Sequence, residues 1–158
     1  MTAYVRATYS ADMQMLPFNP QGDLPSGVHQ ATLTEVIERF GHGAPARVVA
    51  TERLQRVIAL AQGTGKLERV FIWGSYVTAK PDPGDVDLFL VMAPDFESHS
   101  YIGETRMVFD SATAEHMLGA TVFWMASSTG SHTMIAGFLT QFQIRRDGEL
   151  RGIVEVLL

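Results

Sequence analysis

The sequence predicts an α+β fold, a small mixed β-sheet with helices packed on it and a C-terminal hairpin. Three observations carry that expectation. Apolar residues recur at helical spacing from Val49 to Ala61. Three short apolar runs, Val70–Trp73, Val86–Val91 and Ala120–Met125, read as strands. The tail from Gln141 reads as two strands turned through Asp147-Gly148. A chain of 158 residues fits one domain, and such a domain buries roughly 70% of its unfolded surface.

The elements follow in order. Residues 1–31 carry Pro17, Pro20, Pro25, Gly22 and Gly27 without sustained periodicity, which reads as an extended arm with turns and a strand before Met13. Thr32 and Glu35 have the spacing of a capping box, so a short helix starts there and stops at Gly41. Pro45 suits the first turn of a second helix, from about Ala46 to Gln62, which Gly63 and Gly65 terminate. Val70–Trp73 and Val86–Val91 are separated by the turn-rich segment Lys80–Gly84. The continuous apolarity of the second run predicts a central strand covered on both faces. A strand or loop is expected around Arg106–Phe109, then a helix from Ser111 to Leu118 capped by Asp110 or Ser111. After the strand Ala120–Met125 come a loop, Ser127–Ser131, a helix, His132–Leu139, and the terminal hairpin.

Composition narrows the functional classes. With 46% apolar and 18% charged residues the chain is built to fold rather than to remain disordered. It has no cysteine, which removes disulfides, thiolate metal sites and cysteine nucleophiles, and fits a reducing cytoplasm. The first residues lack the apolar core and cleavage site of a leader, and no run reaches the roughly 18 apolar residues of a membrane span. A soluble, unprocessed cytoplasmic protein is expected. A net charge of −5 argues against a broad nucleic-acid surface, since such surfaces neutralise phosphates with Lys and Arg.

The segment Val70–Met92 carries the chemistry. One apolar run ends in Gly74-Ser75, and Asp85-Val86-Asp87 opens the next. Residues two apart on a strand share a face, so Asp85 and Asp87 project together. Two carboxylates in apolar surroundings call for cations, and hard divalent ions such as magnesium take oxygen ligands of this kind. Gly74 allows close backbone approach to a phosphate, and Ser75 adds a hydroxyl beside its own amide. Lys80, between the two halves, is placed to reach a triphosphate. A Gly-Ser turn or an Asp-x-Asp pair alone is more often a plain turn or strand edge; their conjunction across two successive strands points to a site.

That conjunction resembles the nucleotidyltransferase fold of the DNA polymerase β superfamily, whose small bacterial members show Gly-Ser after the first core strand and Asp-x-Asp in the second. Gly74, Ser75, Asp85 and Asp87 match it. The flanks LPFNPQGDLPSGVHQATLTEVIERFG and FQIRRDGELRGIVEVLL are similar to those of an uncharacterised bacterial family of nucleotidyltransferase-like proteins. The resemblance implies magnesium at Asp85 and Asp87, a nucleoside triphosphate held by Gly74 and Ser75, and transfer of an NMP to a protein or RNA hydroxyl. Active members of the superfamily place a third carboxylate on a neighbouring strand. The corresponding run here, ATVFWM, has Thr121 at that place. Asp110, Glu115, Asp95 and Glu97 are the nearest acids in sequence and read as surface charges or caps. The alternative is therefore a catalytically degenerate member acting as a binding module, for example one component of a toxin–antitoxin-type pair, with a protein partner or a homodimer.

Other polar residues carry less. His29, His42, His99, His116 and His132 show no metal-ligand spacing. Ser127, Ser128, Ser131 and His132 lack a nucleophile elbow and read as a loop. Arg145, Arg146 and Arg151 flank the terminal turn and read first as a solvated hairpin tip, second as phosphate contacts. The eight methionines, with Phe123, Phe138 and Phe142, read as core.

Overall fold

The computed structural model of the chain describes residues 15–128 and 131–158. The strand expected before Met13 lies outside them. Five strands form one mixed sheet: β1 (Val28–Thr32), β2 (Leu67–Trp73), β3 (Val86–Met92), β4 (Ala120–Ala126) and β5 (Ile153–Leu157), in the order β1-β5-β2-β3-β4. The outer pairs, β1 with β5 and β3 with β4, are parallel, and β2 runs antiparallel to both β5 and β3.

Alternation along the strands builds two cores. Val86, Leu88, Leu90 and Met92 of β3 face helices α1 (Leu33–Phe40) and α2 (Pro45–Gln62), which contribute Val36, Phe40, Leu54, Val57 and Ile58. Phe89 and Val91 face the other way, with Phe71 and Ile153, towards α5 (Ser131–Phe142) and its Ile135, Leu139 and Phe142. Each such side chain, fully buried, contributes about 1.5–3 kcal/mol. The expected central strand, covered on both faces, is therefore β3. The capping box at α1 is present: Glu35 N–H donates to Thr32 Oγ1 at 3.2 Å, and Thr32 N–H donates to Glu35 Oε2 at 2.7 Å. Pro45 opens α2 as its first-turn proline, and Asp110 caps α4 (Ser111–Thr113) by accepting from Thr113 N–H at 2.8 Å.

Three expectations need correction. The supposed arm contains β1, an edge strand that buries only Ala31 and so leaves no apolar alternation to read. The region expected as strand or loop around Arg106–Phe109 belongs to a one-and-a-half-turn helix, α3 (Gly103–Val108), too short to reveal a period. The terminal hairpin is not formed as two paired strands. Asp147-Gly148 does turn the chain, with Arg145 N–H donating to Glu149 O at 2.9 Å, but a single bridge, Ile144 to Leu150, joins its limbs. Its upstream limb is the end of α5, whose Phe142 stacks on Trp73 with ring centres 3.9 Å apart. Its downstream limb enters the sheet interior as β5, buried on both faces at Ile153, Val154 and Val156.

Candidate functional site

β2 ends at Trp73, and the chain turns at Gly74 with φ +81° and ψ −164°. That region of backbone space is essentially restricted to glycine. A one-turn 3₁₀ segment, Ser75–Val77, follows, and Thr78 Oγ1 donates back to Ser75 O at 2.7 Å. The turn is held from below by α2. The Arg47 guanidinium, 7% exposed, donates to the carbonyls of Phe40 at 3.1 Å, Tyr76 at 3.0 Å, Thr78 at 2.6 Å and also Lys80. Burial pulls its pKa below the ordinary arginine value, with Tyr76 opposing.

Asp85 immediately precedes β3, and Asp87 is its second residue. Trp73 of β2, Asp87 of β3 and Thr121 of β4 lie in register across three neighbouring strands. A Cβ built on Gly74 would overlap Asp87 Oδ2, so the glycine and the carboxylate share one confined space. Thr121 Oγ1 donates to Asp85 Oδ2 at 3.0 Å. Burial, then the neighbouring Asp85 charge, push the Asp87 carboxyl up to about 6, against the opposing influence of the Thr121 hydroxyl and the Arg151 charge.

All five residues singled out from the sequence, Gly74, Ser75, Lys80, Asp85 and Asp87, line one open cleft of about 600 Å³, with Thr121 beside them. The facing wall is the turn after α5, which contributes Arg145, Arg146, Asp147 and Arg151. These arginines therefore belong to the cleft rather than to a solvated hairpin tip. The sequence offers phosphate contact only as their second reading, because the turn reaches the acids only through the α5 packing and the interior position of β5. Arg47 carried no sequence signal either, since it sits in an ordinary helical stretch.

The remaining candidates fall elsewhere. Asp95 pairs with Lys66 at 2.6 Å, Glu97 lies 3.4 Å from His99, and Asp110 caps a helix. His29 Nε2 lies 2.6 Å from Pro25 O, and Ser131 Oγ accepts from Ser128 N–H at 2.9 Å. Among the described residues no group of three or more His, Asp or Glu side chains gathers as a metal centre. The further carboxylate in the cleft is Asp147, held 3.5 Å from Arg145. Among the described residues no helix is long and apolar enough to cross a membrane.

Comparison with known proteins gives one finding. No curated protein and no solved structure matches the chain. A family model described as a family of unknown function, DUF6932, matches residues 16–157, nearly the whole length. The chain belongs to the DUF6932 family.

Proposed function

We propose that the cleft binds a nucleoside triphosphate with magnesium and transfers its NMP to a protein or RNA hydroxyl, in a cytoplasmic setting, in the manner of the nucleotidyltransferase fold. The observation that carries this reading is the meeting of Gly74-Ser75 with Asp85 and Asp87 in one cleft. The donor set fits a hard divalent ion: two carboxylates share the site, and burial beside Asp85 raises Asp87 in a way that a cation would relieve. Asp85 and Asp87 would hold the ion, which when bound supplies positive charge to the phosphates and to the acceptor oxygen. Gly74, having no Cβ, leaves room for the Asp87 carboxylate beside the turn, Ser75 offers its hydroxyl and amide, and Lys80 adds a positive charge at the cleft. In the transfer, the bond from the α-phosphorus to the bridging oxygen breaks, a bond to the acceptor oxygen forms, and pyrophosphate leaves. The acceptor's proton has Asp85 and Asp87 as carboxylate acceptors lining the same cleft.

A second reading, a binding module without turnover, is favoured by Thr121. Its hydroxyl stands opposite Asp87, where a third carboxylate would complete the metal site, and is spent on Asp85. Such a module, for instance a toxin–antitoxin-type component, would engage a protein partner or a second copy; Phe123, Met134 and Phe138, expected in the core from the sequence, are instead exposed and available for that contact. The test incubates the chain with α-labelled nucleoside triphosphates, magnesium and candidate protein or RNA acceptors. Label transfer that Asp85→Ala and Asp87→Ala both abolish supports the enzyme; nucleotide binding without transfer supports the module; transfer surviving both substitutions overturns the site.

A further inference from the structure

The cleft has a second half that the carboxylate site does not use. Arg145 and Arg151, with Ser75 and Lys80, line both the 600 Å³ cleft and an adjoining cavity of about 380 Å³ that runs on to Gly22 and Asp23. Arg146 joins them on the carboxylate side. Three of these cations are not spent on ion pairs among the described residues: Arg145 pairs with Asp23 and Asp147, whereas Lys80, Arg146 and Arg151 do not pair. Arg151 goes further, because its buried Nε has no hydrogen-bond partner. A buried donor left unpaired is unfavourable, more so on a charged group, so its retention asks for a ligand or a solvent molecule to satisfy it. Guanidinium groups in convergent positions match phosphate oxygens in geometry and charge.

We infer that Lys80, Arg146 and Arg151, with Arg145 and the Ser75 hydroxyl, form a phosphoanion subsite at the junction of the two cavities, one that takes a polyphosphate chain without needing a metal ion. The inference deepens the nucleotide reading and rests on it for the source of the chain, which would be the β- and γ-phosphates of the bound triphosphate. The Asp23–Arg145 pair fixes the arginine turn against residues 21–23, so the subsite is held open before the anion arrives.

The test is calorimetric titration of the full chain with sodium tripolyphosphate in EDTA and low salt. The expected result is saturable binding that weakens at least tenfold in Arg151→Gln and in the exposed Arg146→Gln, weakens less in Arg151→Lys, and tightens in Asp85→Asn, which removes a nearby negative charge. Competition by ATP in EDTA would assign the subsite to the nucleotide's own phosphates; tripolyphosphate binding without competition would assign it to the free anion, and both outcomes support the subsite. Binding absent in EDTA, or unchanged in both arginine variants, overturns it. A failed nucleotide transfer assay alongside arginine-dependent tripolyphosphate binding would remove the enzyme and leave the subsite standing; successful transfer with unaffected arginine variants would do the reverse.

Discussion

Gly74 and Asp87 occupy a single confined space: any Cβ at residue 74 would overlap the Asp87 carboxylate, and the Gly74 backbone already sits at φ +81°. Gly74→Ala therefore meets two penalties together. The backbone conformation costs about 1–3 kcal/mol for a residue with a side chain, and the carboxylate must also move. The expected outcome is a loss of about 2–4 kcal/mol in urea unfolding, with loss of magnesium-dependent nucleotide binding. A variant as stable as the wild type and still binding nucleotide would show that the turn is not confined in this way.

The Asp87 carboxyl gives a pH-dependent prediction. Its pKa stands raised from 3.8 to about 6 by burial and by Asp85. A raised carboxyl contributes stability that is fully present below its ordinary range and is lost as pH rises through about 6. Asp87→Asn carries no such loss. At pH 7.5 without metal the variant should be more stable than the wild type by about 1–3 kcal/mol, and the advantage should shrink towards zero near pH 4. Urea unfolding at the two pH values measures it, and an advantage that grows on acidification would contradict the assignment.

Arg47 supports the loop from within. Four backbone carbonyls, those of Phe40, Tyr76, Thr78 and Lys80, accept from one buried guanidinium. Arg47→Met leaves them without that donor and should cost about 3–5 kcal/mol; Arg47→Lys keeps the charge but not the planar fork and should cost about 2 kcal/mol. The lysine variant should also bind nucleotide more weakly, because Lys80 loses its anchored backbone. Losses under about 1 kcal/mol in both variants would remove Arg47 from the account.

How far the sequence carried the site can be read from particular residues. Gly74, Ser75, Lys80, Asp85 and Asp87 were legible because the chemistry lies in two consecutive strands, where spacing along the chain becomes spacing in space, and they do line one cleft. Thr121 was legible through its strand, and the structure places it opposite Asp87. Arg145, Arg146 and Arg151 were legible only as a second reading, since their approach to the acids depends on β5 entering the sheet between β1 and β2, a long-range pairing with no local signature. β1 was missed for a related reason: an edge strand with one buried residue lacks the alternation that marks a strand. The helical turn at Gly103–Val108 was too short for its period to show.

Thr121 offers a gain-of-function prediction. Thr121→Asp sets a third carboxylate in register with Asp87, exchanging a hydroxyl that donates to Asp85 for a like charge. Without metal the variant should lose about 1–3 kcal/mol of stability. Its magnesium affinity should rise at least tenfold, about 1.4 kcal/mol, and transfer activity should appear or increase. Titration calorimetry with magnesium alone checks the affinity, and no gain would count against Thr121 as the vacant third place.

The most direct measurement is calorimetric titration of the wild-type chain, Asp85→Asn and Asp87→Asn with each of the four nucleoside triphosphates in magnesium. The expected result is saturable binding of at least one triphosphate by the wild type, weakened at least tenfold in either variant. No binding by the wild type, or binding of equal strength in all three proteins, would contradict it.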